Sequence, residues 1–167
     1  MILIVFGVSG AGKTTIGKVL AERLAWRCYE ADDFHSLTNI EKMHSGIPLT
    51  DEDRRSWLGS LREVIKEHVA AGENAVLACS ALKRRYRQRL RVNEDVKFVF
   101  LRGDYAFVEK QLCSRRGHFM NPALLRSQFA NLEEPASDEN VLTIQLGRSP
   151  NDLVNEITGK LGLSVEN

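Results

Sequence analysis

A glycine-rich stretch near the start of the chain has the spacing of a phosphate-binding loop. Residues 7 to 14 read GVSGAGKT and match the pattern GxxxxGK[ST]. Glycines let consecutive backbone N–H groups turn toward one anion, so such a loop favours the polyphosphate of ATP. We expect Lys13 to reach the β- and γ-phosphates and the Thr14 hydroxyl to bind Mg²⁺. The residues expected to contact ATP are Gly7, Val8, Ser9, Gly10, Ala11, Gly12, Lys13, Thr14 and Thr15.

Three carboxylates stand close together in YEADDFH, about one helix downstream of this loop. Glu30, Asp32 and Asp33 follow a short β-like run. A phosphoryl acceptor needs its hydroxyl in line with the γ-phosphate and a carboxylate that takes its proton. One acid can be that base, and another can hold Mg²⁺ through water. Asp33 can face away, cap the next segment or bind Arg54, and we expect His35 to be a hydrogen-bonding loop residue.

These residues need a sheet whose strands all end at one edge. Apolar runs predict five strands, at Ile2–Phe6, Arg27–Tyr29, Ala75–Cys79, Val96–Leu101 and Val141–Leu146. Helical spacing follows at residues 14–24 and 51–71, and Ser149-Pro150 has the cap and proline that open a last helix. Alternating strands and helices predict a three-layer α/β fold with a mainly parallel sheet. In such a sheet, the residues that follow the strands line the ligand crevice.

Two intervals fit neither a strand nor a core helix. They lie at about residues 35–50 and 117–135, and the second contains the helix signal Asn121-Pro122. We expect both to be flaps over the site. No linker or repeat divides the chain, so residues 1–167 are expected to form one domain.

Composition argues against several other classes of function. The chain has 167 residues, of which 23 are basic and 22 acidic, so nothing attracts it as a whole to nucleic acid or a membrane. The basic run KRRYRQRLR, residues 83–91, is expected to be mostly a solvated helix face. Cys28, Cys79 and Cys113 have no CxxC spacing, which fits a reduced, cytoplasmic protein without a zinc site. The apolar run Ile2–Phe6 is much shorter than the ~20 residues of a membrane span.

Five blocks of sequence, taken in order, resemble the short gluconate kinases of the P-loop sugar-acid kinase family. These blocks are GVSGAGKTT, ADDFH, NIEKMHSGIPLTDEDR, CSALKRRYR and GHFMNPALLRSQFANLEEP, and the match runs from about residue 2 to residue 146. The resemblance implies transfer of the ATP γ-phosphoryl group to the 6-hydroxyl of D-gluconate, with Mg²⁺ as cofactor. It also implies a fold like that of nucleoside monophosphate kinases, with five parallel strands, and a possible homodimer. In that fold the interval at about residues 35–50 is the substrate flap and the interval at about 117–135 is the lid.

The resemblance assigns roles to two of the acids. By similarity to the related shikimate kinases, Asp32 is the carboxylate closest to the acceptor hydroxyl. Glu30 then falls near the metal, at a position where gluconate kinases typically have Asp. The longer side chain still offers an oxygen to Mg²⁺ or its waters.

A sugar acid presents one carboxylate and a row of hydroxyls, so its site needs an arginine fork and short polar groups. Arg54 is expected to pair with the carboxylate of gluconate. Ser80 and Lys83 follow the strand AVLAC, where Ser80 is expected to bond a hydroxyl and Lys83 the carboxylate or a phosphate. Arg87, one turn beyond Lys83, is expected to share that work.

The lid supplies the remaining candidates. Arg115 and Arg116 precede GHFM, and an arginine delivered by a closing lid stabilises the charge on the transferring phosphoryl group. Of the two we favour Arg116 as catalytic, beside Lys13 and Asp32. His118 and Gln128 are further expected substrate contacts.

Two other functions are open to the same residues. One is a different small-molecule kinase on this fold, acting on shikimate, a nucleotide or another sugar acid. The other is an ATP-binding switch, which binds nucleotide but shows no turnover stimulated by an acceptor.

Overall fold

A five-stranded parallel sheet forms the centre of the molecule. The structure is a computed structural model that describes residues 1–114 and 122–164. The strands are β1 (Ile2–Phe6), β2 (Arg27–Glu30), β3 (Ala75–Cys79), β4 (Val96–Arg102) and β5 (Val141–Gln145). Their order across the sheet is β2-β3-β1-β4-β5, and every neighbouring pair is parallel. The predicted α/β class is therefore confirmed.

Helices cover both faces of this sheet. They are α1 (Lys13–Leu24), α2 (Leu37–His44), α3 (Asp51–Ala71), α4 (Arg84–Leu90), α5 (Tyr105–Cys113), α6 (Pro122–Asn131) and α7 (Pro150–Leu161). Short 3₁₀ turns occupy Ala31–Phe34 and Ser137–Glu139. Within the described ranges, none of the helices has the length and apolar character needed to cross a membrane.

The central strand β1 is buried on both of its faces. Leu3 and Val5 pack into a core shared with α1 and α7, while Ile2, Ile4 and Phe6 point into a second core with α3 and α4. A strand covered on both sides has no solvent-facing positions, which is why ILIVF is a continuous apolar run.

The predicted helix ends are confirmed where capping residues mark them. At the start of α3, the Thr50 hydroxyl accepts from the Asp53 backbone N–H (3.2 Å), and the Asp53 carboxylate accepts from the Thr50 N–H (2.9 Å). This reciprocal pair is a capping box. Ser149 caps α7 through its hydroxyl, which accepts from the Asp152 backbone N–H (3.2 Å), ahead of Pro150 at the first helical position.

The first interval without a predicted element contains a helix. Helix α2 begins after Ser36, whose hydroxyl accepts from the Asn39 backbone N–H (3.2 Å). Further differences are small: β2 extends to Glu30, β4 extends to Arg102, and the acids Asp32 and Asp33 lie in a 3₁₀ turn. The acidic cluster is therefore part of an ordered turn at the carboxyl end of β2.

A buried ion pair joins α4 to the turn before β5, and it changes the role expected of Arg87. The Arg87 side chain is 1% exposed. Its Nε and Nη2 donate to the two oxygens of Glu139 at 2.7 and 2.8 Å, and Nη1 donates to the carbonyls of Ala81 and Leu82. All its donor groups are thus engaged in the protein interior. The structure gives Arg87 a structural role in place of the expected substrate contact.

Breaking this pair should strongly destabilise the protein. Arg87→Met leaves Glu139 buried without its partner, and such a loss typically costs about 3–5 kcal/mol. We expect urea denaturation to show a decrease of that size in the free energy of unfolding. Arg89→Met, a change to an exposed arginine of the same helix, is the matched control, and equal small losses in both variants would contradict the structural role.

Candidate active site

The glycine-rich loop connects β1 to α1 and leaves the first backbone N–H groups of α1 without a side-chain cap. Gly10 and Gly12 have φ values of 83° and 90°, in the left-handed region that favours glycine. A Cβ atom at Gly10 would lie 2.5 Å from Leu112 Cγ, whereas one at Gly12 would meet no atom within 4 Å. The loop is therefore packed against α5 at Gly10 and open at Gly12. Uncapped N–H groups at the start of a helix bind anions.

The side chains that end the loop surround this opening. Lys13 Nζ donates to the Val8 carbonyl (3.0 Å), so the lysine folds back over the loop. Thr14 and Thr15 are exposed in the first turn of α1. Gln128, expected to contact the acceptor, is placed against the loop instead. Its Oε1 accepts from the Ser9 backbone N–H at 3.2 Å and from the Ser9 hydroxyl at 3.4 Å.

Glu30 connects the acidic cluster to the loop. The Thr14 hydroxyl donates to Glu30 Oε2 (3.1 Å), while Glu30 Oε1 is buried and has no hydrogen-bond partner among the described residues. Burial raises the pKa of Glu30, and the negative charge of Asp32 acts in the same direction. A carboxylate with one unpartnered oxygen, hydrogen-bonded to a loop threonine, fits a divalent cation held near the phosphates.

Within the described residues, His, Cys, Asp and Glu side chains form no group of three or more that would hold a metal ion. A cation at this place would therefore depend mainly on phosphate oxygens and water for its ligands. This is usual for Mg²⁺ in kinases.

Three of the expected residues converge around the carboxyl end of β3. Cys79 is the last residue of that strand, and burial raises the pKa of its thiol to about 12. The charges of Asp32, Lys13 and Arg54 all act on this thiol. Lys13, Asp32 and Arg54 therefore lie near the end of this strand. The Asp32 side chain is 75% exposed there, as an acceptor contact must be.

A cavity of about 230 Å³ opens beside Arg54. Its polar lining residues are Thr50, Asp51, Arg54, Lys83, Tyr86 and Asn131. The Arg54 guanidinium lies over the rings of Trp57 and Tyr86, 5.9 Å from each centroid. Lys83, the other cation expected to contact the substrate, lines the same cavity. Ser80, the residue directly after β3, is half-buried.

The remaining expected residues have different positions. Asp33 is exposed in the 3₁₀ turn, and within the described ranges it forms no ion pair with Arg54. Arg115, Arg116 and His118 lie outside the described residues, so their expected roles remain predictions.

Sequence reasoning missed Asp51, Tyr86 and Asn131, which all line the cavity. Asp51 lies one turn before Arg54 in the block GIPLTDEDR, so its position at the start of a helix after the flap was the available signal. No such signal exists for Tyr86 or Asn131, because each stands in a helical stretch whose exposed face is polar.

The first flap is fastened to α3 by its helix α2. The buried His35 ring stacks on Trp57, with 4.5 Å between ring centroids and 10° between planes. Asn39 Nδ2 donates to the Asp53 carbonyl (2.7 Å) and to His35 Nδ1 (3.4 Å). Lys42 pairs with the Asp53 carboxylate at 2.8 Å, and this contact, with the bonds from Thr50, lowers the pKa of Asp53 to about 2.

Fold and site together define a P-loop kinase, a phosphotransferase that uses ATP. Phosphoryl transfer to a small acid requires three features, and all are present. They are an anion-binding loop after the central strand, a carboxylate in the turn directly after β2 and a cationic cavity.

Comparisons with known proteins identify the family. A family model for shikimate kinase matches residues 9–159. The chain is 44% identical over 156 residues to a gluconokinase of Gluconobacter oxydans, with 93% of this chain and 88% of that protein covered. The chain belongs to the shikimate kinase family and, within it, to the gluconokinases. The resemblance found in its sequence blocks is thereby confirmed.

Two solved structures of similar kinases support the same family assignment. A sugar kinase from a Janibacter species superposes with a TM-score of 0.91 at 41% identity, covering 98% of this chain and 95% of that one. A gluconokinase from Sinorhizobium meliloti gives 0.87 at 37% identity, covering 96% and 90%.

The buried ring of His35 should make stability depend on pH. Burial lowers its pKa in the folded protein, so between that value and the ~6.5 of an unfolded chain only the unfolded state binds the proton. The free energy of unfolding should therefore fall as the pH decreases below about 6.5. His35→Phe keeps an aromatic ring on Trp57 and should lose less stability than wild type between pH 7.5 and 5.5.

Urea denaturation at the two pH values measures this difference. His44→Gln, which removes an exposed histidine from α2, is the matched control. Equal losses of stability in wild type and His35→Phe would show that the ring does not titrate on unfolding.

Proposed function

We propose that this protein transfers the γ-phosphoryl group of ATP to the 6-hydroxyl of D-gluconate, giving 6-phosphogluconate and ADP. The observation that supports this most directly is the cavity that contains both Arg54 and Lys83, together with Asp32 in the turn after β2 and Lys13 at the start of α1. Lys13 fits the phosphates, Asp32 the acceptor hydroxyl and the cationic cavity a carboxylate. The identity to gluconokinases over most of the chain supports the choice of acid.

Asp32 is the residue that we place at the acceptor hydroxyl. It lies at the carboxyl end of β2, and its exposure leaves both oxygens accessible to a ligand. It orients the hydroxyl and takes its proton as the new P–O bond forms. Lys13, drawn from the Val8 carbonyl to the phosphates, stabilises the charge that develops on the transferring group.

We also propose Mg²⁺ as the metal cofactor. When bound, it neutralises phosphate charge and aligns the phosphoryl group. Thr14 and Glu30 are the residues that would hold it, Thr14 directly and Glu30 by orienting the threonine and accepting from metal-bound water. The longer side chain of Glu30 suits such an indirect contact.

The segment at about residues 35–50 is the proposed substrate flap and that at about 117–135 the proposed lid. The lid supplies His118 to the closed site, and Arg116 stands directly before it, at its hinge. Flap and lid belong to a single kinase domain of residues 1–167. A homodimer and a cytoplasmic location complete the proposal, and the free thiols of Cys28, Cys79 and Cys113 are compatible with a reducing compartment.

The acceptor itself is the part of the proposal to be tested first. ADP release from Mg²⁺-ATP should be stimulated by D-gluconate and not by shikimate, nucleoside monophosphates or water. Stimulation by another acceptor would overturn the substrate while keeping the class of reaction. ATP binding without stimulation by any acceptor would favour a nucleotide-dependent switch.

Asp32→Asn should separate chemistry from nucleotide binding. The amide keeps the shape of the side chain but cannot take the proton, so we expect kcat to fall by roughly 10²- to 10⁴-fold. The Kd for ATP, measured by calorimetry, should stay close to that of wild type. Asp33→Asn, in the same turn, is the matched control. A large loss of ATP affinity in Asp32→Asn would instead place Asp32 at the metal.

A further inference from the structure

Asp51 places a negative charge inside a cavity that is expected to bind an anion. It lines the cavity at the first position of α3, together with the cations Arg54 and Lys83. A carboxylate repels a carboxylate ligand, so its presence needs an explanation in terms of what the cavity selects.

Asp51 is held by three donors at once. Its Oδ1 and Oδ2 lie 3.0 and 3.2 Å from Lys83 Nζ, and it also accepts from the Tyr86 hydroxyl and from Arg85. These bonds, above all that from Tyr86, hold the pKa of Asp51 well below its usual range. The carboxylate is therefore ionised at neutral pH, and its side chain is fixed in place.

Arg54, the other cation of the cavity, has a different environment from Lys83. Within the described ranges, no carboxylate pairs with the Arg54 guanidinium, which contacts aromatic rings instead. Lys83, by contrast, pairs with Asp51, which also binds Arg85. Among the described residues that line the cavity, Arg54 is therefore the cation without a carboxylate partner.

We infer that Asp51 sets the charge of the acceptor that this cavity accepts. With Lys83 engaged by Asp51, one negative charge on the acceptor is enough to pair with Arg54. A neutral polyol leaves Arg54 without a counter-ion, and a dianion places its second carboxylate near Asp51. The site thus prefers monoanionic polyhydroxy acids to neutral and to dianionic molecules of the same length. This inference rests on the proposed function, because it assumes that the cavity binds the acceptor.

Asp51 also ties the start of α3 to α4, and a purely structural role has to be distinguished from charge selection. Loss of a structural tie would weaken every acceptor by a similar factor. Loss of charge selection would instead change the affinity of each ligand by a factor that depends on the charge of that ligand. The test therefore needs ligands that differ in charge and little else.

Three six-carbon ligands form such a series: D-glucitol is neutral, D-gluconate carries one negative charge, and D-glucarate carries two. Their Kd values are measured by calorimetry with the full chain at pH 7.5 and constant ionic strength. Wild type should bind D-gluconate most tightly. In Asp51→Asn, Lys83 becomes available, and the affinity for D-glucarate relative to D-glucitol should rise by about 5-fold or more, the effect of one added charge pair at ~4 Å even in a water-like dielectric.

Glu52→Gln is the matched control. Glu52 is the next residue of the same first turn, but it pairs with the exposed Arg55 at 2.9 Å and does not line the cavity. Its removal should leave the order of the three ligands as in wild type. An equal change for all three ligands in Asp51→Asn, or an unchanged ratio of D-glucarate to D-glucitol, would overturn the inference.

Failure of the proposed function would look different. Wild type would then bind the ligands in the expected order but release no ADP with D-gluconate. Turnover with D-gluconate, together with an unchanged charge order in Asp51→Asn, would reject the inference alone.

Discussion

The backbone N–H groups that open α1 are the feature on which the rest of the site depends. Among the described residues no side chain caps this helix end, and the loop before it follows directly from β1, the central strand buried on both faces. A buried strand fixes the loop rigidly, and an uncapped helix end supplies several aligned donors at one point. Phosphate is the ligand that satisfies them, so the acidic and cationic groups around the loop are arranged with respect to it.

The charged residues near the loop fall into two classes, distinguished by whether their partners are internal. Every nitrogen of the Arg87 guanidinium donates to Glu139 or to adjoining carbonyls, and the side chain is buried, so it stabilises the fold and is not accessible to a ligand. Glu30 keeps an unpartnered oxygen, and Arg54 contacts only aromatic faces among the described residues. Polar groups without an internal partner are stabilised most when a ligand of opposite charge binds to them. The pattern of internal pairing thus separates binding residues from structural ones more clearly than residue type does.

What the sequence predicts well is local. The loop is a contiguous motif, the strands are continuous apolar runs, and the capping box of α3 spans four residues, so each can be found in a short window. Helix α2 has only eight residues, too few for a helix that is stable alone, and depends on contacts of Asn39 and Lys42 with Asp53. The partner of Arg87 is 52 residues away and that of Gln128 is 119 residues away. No spacing in the sequence indicates such pairs, and for this reason the expected roles of both residues differ from their positions.

Helix α6 connects the two halves of the site. Gln128 accepts from Ser9 in the phosphate loop, and Asn131, three residues later on the same face of the helix, lines the acceptor cavity. Just beyond the helix, the Glu133 N–H donates to the Leu82 carbonyl (3.0 Å), next to Lys83. Because a helix moves as a rigid unit over so short a distance, a displacement that separates Gln128 from Ser9 also moves Asn131 at the cavity. The position of this one helix therefore links the geometry of the phosphate loop to that of the acceptor cavity.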